Sequence, residues 1–179
     1  TISRSAATRP LFRELGAEAE VTNLTLTGEF SAFEKPYEYG NAALAQINLG
    51  NVTNVSANCS VNLRLDGVPS LLGGLVAQNG GVMKSCTNDG NVTLEVAVGG
   101  QNGKDVACAN FGGGLAAYGH TIAGLDSNTG LYFADAECKA GKFVDCVNNG
   151  SISVKATSGS KALGVSTYGG ICGIVELDG

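Results

Sequence analysis

The sequence has no tryptophan, three prolines, one methionine and one histidine in 179 residues. A lone histidine has no second imidazole to share a metal with, and no Cys-x-x-Cys pair occurs, so zinc-site spacings are missing. Charge is scarce as well, at 15% of residues with a net charge of -5. Nucleic acid and anionic membrane both require a basic patch, so neither is an expected partner. The longest uncharged run, Val106 to Leu125, reaches spanning length only by counting Gly, Asn, Tyr and His, so no membrane insertion is expected. The opening residues TISRSAATRPLF lack the apolar segment of a secretion signal and begin on Thr1, which reads as a chain processed from something longer.

What the sequence does hold is glycine, 27 residues of it, beside 44% hydrophobic residues. The glycines follow no three-residue period, which excludes collagen, and the apolar content excludes a disordered chain. The length fits one domain over residues 1–179, large enough to bury a core.

The glycines punctuate repeats. Leu24, Val55 and Cys86 are equivalent positions separated by 31 residues each time. The segment GKFVDCVNNGSISV continues the register, with Phe143, Cys146, Gly150 and Ile152 matching Met83, Cys86, Gly90 and Val92. A period in this range marks stacked repeats. Each unit carries short alternating or β-branched runs, such as NVTLEVAV and SISVKA, which reads as strand. Asp66-Gly67, Asn79-Gly80, Asp89-Gly90, Asn102-Gly103 and Asn149-Gly150 supply turns. One unit cannot bury its apolar face alone, whereas stacked units can. The expected fold is all-β, a parallel β-solenoid (β-helix) of about 31-residue coils with one irregular or inserted region. An antiparallel sandwich is the alternative. Cys86 and Cys146 are 60 residues apart, so the irregular segment falls at about 120–140. It is either an extra coil within 111–140 or an insertion of about twenty residues.

Gly74-Leu75-Val76-Ala77, Gly114-Leu115-Ala116-Ala117 and Gly170-Ile171-Cys172-Gly173 carry a resemblance, with Ala43-Leu44-Ala45-Gln46 as a weaker copy. They resemble the GLUG motif of bacterial secreted and surface proteins, although only the last keeps Gly at the fourth position. Gly119 to Leu125, GHTIAGL, is similar to the strand that often precedes such a repeat. The resemblance implies a β-helical region of an extracellular, adhesin-like protein or one appended to an enzyme, and it supplies no catalytic residues. The last copy stops after its opening strand, which is expected if the repeats continue beyond Gly179.

Chemistry-bearing residues are sparse. Cys86 and Cys146 share a column with Val55 and Leu24, so the six cysteines are expected to be buried free thiols rather than ligands, although their even number would also permit disulfides in a secreted protein. Asp126, Asp135 and Glu137 are the nearest approach to a catalytic acid cluster, but the acids form no ladder. Asp126, Asn128 and Glu137 match three positions of a calcium loop, whose turn positions are wrongly filled by Gly130 and Leu131. His120 has no nucleophile near it in sequence and reads as a turn residue. The glycine stretches lack the Lys-Ser/Thr of a P-loop. The Thr25–Thr27 run does not recur, which argues against ice binding. Six Asn-x-Ser/Thr sequons, at Asn23, Asn51, Asn54, Asn58, Asn91 and Asn149, arise simply from turn and strand residues.

These residues point to a non-catalytic extracellular repeat domain, serving in adhesion, ligand display or as a stalk of a bacterial surface or secreted protein. No cofactor or metal is expected, and the partner is a host protein or glycan on a cell surface. The contact patch is expected in the irregular segment, at His120, Asp126, Tyr132, Phe133, Asp135 and Glu137, with the aromatic pair exposed and rimmed by acids. The alternative is a fragment of a β-helical carbohydrate-active enzyme, a polysaccharide lyase or glycosidase.

Overall fold

The computed structural model describes residues 1–33, 40–66, 70–97, 110–126, 131–133, 137–156 and 166–174. The protein is all-β, with no helix among those residues, and its strands lie in parallel sheets that are not closed. Three sheets account for nearly all of the pairing. In the largest, β1 (Ile2–Ala7), β3 (Glu20–Phe33), β5 (Asn51–Asp66), β10 (Val92–Ala97) and β17 (Ile152–Ala156) follow one another. The short strands β8 (Val82–Lys84) and β9 (Thr87–Asn88) extend it between β5 and the pair β15 (Lys142–Val144) and β16 (Val147–Asn148). A second sheet orders β2 (Phe12–Leu15), β4 (Ala45–Asn48), β7 (Val76–Asn79), β12 (Ala116–Tyr118) and β19 (Cys172–Ile174). The third holds β6 (Ser70–Gly73), β11 (Asn110–Gly113) and β18 (Ser166–Gly169).

Register reproduces the repeat. Leu24 lies opposite Val55, Val61 opposite Val92, and Val92 opposite Ile152. Because every pairing in these sheets is parallel, the strand polarity is the opposite of that in an antiparallel sandwich. Each set of stacked residues is called a layer below.

Every layer bends at one residue of left-handed backbone conformation: Asn23 (φ 55), Asn54 (φ 53), Ser85 (φ 52) and Asp145 (φ 51). The bend adds one residue to the alternation of inward side chains. Val52 and Val55 both point inward around Asn54, as Met83 and Cys86 do around Ser85. Asn and Asp tolerate this conformation best among residues with a side chain, whereas serine gains little from it. Asn54 Nδ2 also donates to Asn23 Oδ1 at 2.6 Å, tying two bends together. Ser85→Asn, which restores the residue used at the same place in the layers below, is expected to stabilise by about 0.5 kcal/mol. A lower urea midpoint for this variant would show that the bend is not held in that conformation.

Inward residues form the core. The main cluster includes Leu26, Phe30, Leu44, Val52, Val55, Leu63, Leu75, Met83 and Leu115. A second cluster, not foreseen from the repeat pattern, unites Ala42, Leu71, Ala77, Phe111, Ala117, Tyr118 and Ile122. Phe111 and Tyr118 meet edge to face there, with ring centroids 5.7 Å apart. Residues 71–79 and 111–120 are buried without interruption, because these strands face a core on both sides.

Asparagines divide by role. Asn48 Nδ2 donates to Asn79 Oδ1 at 2.8 Å, and Asn88 Nδ2 to Asn148 Oδ1 at 2.8 Å, forming amide ladders inside the molecule. All six sequon asparagines are exposed. On a strand, residues i and i+2 share a face, so outward Asn followed by outward Ser or Thr writes a sequon automatically.

Candidate functional site: a hairpin at a turn between strands

The hairpin grows out of a turn that the earlier layers make with a short Asn-x-Gly link. In one layer the link is Asn48-Leu49-Gly50, where Gly50 N–H donates to Asn48 Oδ1 at 3.2 Å. In the next it is Asn79-Gly80-Gly81, and Val82 N–H donates to Gly50 O at 2.9 Å to carry the chain onward. In the third, the chain leaves at Gly119 and returns at Gly141, with Gly141 N–H donating to Gly119 O at 2.9 Å. Lys142 N–H then bonds Gly81 O at 2.8 Å, so the stack resumes where it stopped. Since β8 pairs directly with β15 and β10 with β17, the residues between Gly119 and Gly141 are an excursion and not an additional layer.

The excursion is antiparallel. His120 bridges Ala140, and Thr121 N–H donates to Lys139 O at 2.9 Å while Lys139 N–H donates to Thr121 Oγ1 at 2.8 Å. Farther out, β13 (Gly124–Asp126) pairs with β14 (Leu131–Phe133), matching Gly124 with Phe133, Leu125 with Tyr132 and Asp126 with Leu131. Ile122 anchors the neck. Ile122 packs into the second core, and its N–H donates to Gln78 Oε1 at 2.9 Å, a fully buried amide. Gln78 was legible only as a polar residue interrupting the run LVAQN, and its partner could not be named from sequence.

Of the expected contact residues, His120 lies inside the fold and Glu137 at its surface. His120 is 5% exposed, so a partner cannot reach its ring. The neck carries it inward, and its Nδ1 lies 2.6 Å from Thr121 O, a carbonyl that can only accept, so Nδ1 bears the proton. Tyr132 and Phe133 are consecutive on β14, in register with Leu125 and Gly124 of β13. Asp126 ends β13, opposite Leu131. Glu137 is exposed beside the neck, and Asp135 lies outside the described residues, as does Asn128 of the calcium-loop match. No group of three His, Cys, Asp or Glu side chains converges among the described residues. Likewise no described helix is long and apolar enough to cross a membrane.

The cysteines hold more chemistry than their apolar column suggested. Cys59 and Cys86 are buried as expected, but Cys138, Cys146 and Cys172 are only partly buried, and Cys108 lies outside the described residues. Cys146 departs from expectation because β15 and β16 form the last described row of their sheet, and nothing described stacks above them. The hydrogen bond from the Cys86 thiol pulls Cys146 down to about 6 against an ordinary thiol value of 9.0. The same bond, with burial, pushes Cys86 up. Burial also raises Cys172, to about 12.

Comparison with family models, with curated proteins and with solved structures finds no match to this chain.

Proposed function

We propose that this chain is a segment of a parallel β-solenoid acting without catalysis, as an extracellular adhesion or display element of a bacterial surface or secreted protein. The stack is the support, and the hairpin between Gly119 and Gly141 is what it presents to a host protein or a cell-surface glycan. One observation carries the reading: an antiparallel hairpin leaves a regular parallel stack at a turn, and the stack closes up beneath it through Gly141 and Lys142. Repeat residues are committed to stacking, whereas a hairpin outside the stack can change sequence without cost to the core. The amide ladders through Asn48–Asn79 and Asn88–Asn148 suit a rigid support. The GLUG-like Gly-Leu copies point the same way.

The test excises residues 124–136 and joins Ala123 to Glu137 through two glycines. This spares His120, Ile122 and Lys139, which the neck needs. The thermal midpoint is expected to stay within about 3 °C of the parent, since among the described residues the removed strands pair only with each other. Binding on arrays of glycans and host surface proteins is expected to disappear. Collapse of the fold would contradict the support-and-hairpin division. Turnover of a polysaccharide, lost in Asp126→Ala or Glu137→Ala, would replace display with catalysis.

A further inference from the structure

Cys86 and Cys146 come from layers far apart in sequence yet face each other across one strand-to-strand step. On one side of them Met83 pairs with Phe143 and Lys84 with Val144; on the other, Thr87 pairs with Val147 and Asn88 with Asn148. Ser85 N–H bonds Val144 O at 2.8 Å and Val147 N–H bonds Cys86 O at 2.9 Å, which locks the two cysteines in register. Adjacent strands lie about 4.8 Å apart. That falls within the roughly 4.4–6.8 Å between Cα atoms that a disulfide spans. Both residues follow a left-handed bend, Ser85 and Asp145, and each thiol turns toward the equivalent backbone carbonyl of the preceding layer. Cys86 Sγ lies 3.4 Å from Val52 O and Cys146 Sγ 3.4 Å from Met83 O.

Neither Cys59 nor Cys172 is matched with a second cysteine in the register of its sheet. Cys59 pairs with Gly28, and Cys172 with Ala116. Cys138 sits at the hairpin neck, outside the parallel sheets.

We propose that Cys86 and Cys146 form a reactive dithiol that closes, by exchange with a small-molecule disulfide, into a covalent clamp between the two layers flanking the hairpin. The two sulfurs differ in a way that fits the order of steps. Cys146 is the partly exposed one and carries the thiolate, while Cys86 is fully buried beneath it. Cys146 thiolate attacks one sulfur of the small disulfide, forming a mixed disulfide and releasing one small thiolate. With Cys146 now neutral, its charge no longer holds the proton on Cys86. Cys86 loses that proton to the released thiolate, attacks the Cys146 sulfur and displaces the second small thiolate outward. That second thiolate takes a proton from water, and the hydroxide left neutralises the proton lost when Cys146 ionised. The protein dithiol is oxidised by two electrons and the small disulfide is reduced to two thiols. The clamp closes a loop over the hairpin and resists separation of its two layers.

The experiment incubates the reduced, native chain with glutathione disulfide, then alkylates remaining thiols and maps peptides by mass spectrometry without reduction. The expected product is a Cys86–Cys146 linked peptide, with a higher thermal midpoint that dithiothreitol reverses. Cys86→Val, which installs the residue used at Val55 in the same column, is expected to stop at glutathione-bound Cys146. Cys146→Ser is expected to yield neither product. The proposal fails if wild type also stops at the mixed disulfide, if the link forms between other cysteines, or if it forms only in denaturant.

Discussion

Gly74→Ala is expected to lower stability by about 3 kcal/mol. That corresponds to a fall of roughly 6–12 °C in the thermal midpoint for a chain of this size. Gly170→Ala, at the same position of another copy of the motif, is expected to change it by less than about 0.5 kcal/mol. The contrast comes from what stands beside each glycine. A methyl at Gly74 would run into the Gly114 carbonyl oxygen and lie 2.8 Å from the Asn88 amide carbon, and neither can retreat. At Gly114 the same methyl would meet the Gly170 carbonyl and the Asn148 amide. At Gly170 nothing described stands within 4 Å. Thus the first glycine of the motif is needed where an asparagine of the same layer lies against it. The remaining copy agrees: Ala43 replaces that glycine, and Ala57 replaces the asparagine, being paired with Asn88. Equal losses at Gly74 and Gly170 would overturn this explanation.

Removing the asparagine itself is the second large effect. Asn88 is fully buried, and its Nδ2 serves Gly90 O at 2.8 Å and Asn148 Oδ1 at 2.8 Å. Asn88→Ala strips the donor from both acceptors and leaves a void, at a cost of about 2–3 kcal/mol. Asn88→Asp is expected to cost more at pH 7 than at pH 4. Its carboxylate would face acceptors, so burial raises its pKa above the unfolded value, and the penalty fades as acid protonates it. Urea titrations at the two pH values check both variants. The amide has room for one further partner, because Asn88 Oδ1 meets no donor where Ala57 stands opposite. Ala57→Asn is therefore expected to destabilise alone and to be rescued by Ala43→Gly, which clears the space an asparagine needs.

Much of the layer arrangement could be read from sequence because it is written in equivalent columns. Leu24, Val55, Cys86 and Cys146 recur where a parallel stack places them, and the register pairs them accordingly. The break in period also located the hairpin, since Gly119 and Gly141 bracket it. The side chains of the site were less legible. His120 read as a turn residue ahead of a strand; its burial follows from the bridge to Ala140 at the neck, a partner twenty residues on that sequence does not announce. Cys146 looked like its column mates, yet its exposure depends on what lies above it in the stack, which a column cannot report.

The central claim is parallel, in-register stacking that skips the hairpin. Cross-strand nuclear Overhauser contacts in an isotope-labelled sample measure it most directly. The account predicts contacts linking Val61 to Val92 and Val92 to Ile152, with the parallel pattern of amide and Hα proximities. Strong Hα–Hα contacts across those strands, or contacts from Val92 to residues of the 120–140 segment in place of Ile152, would contradict it.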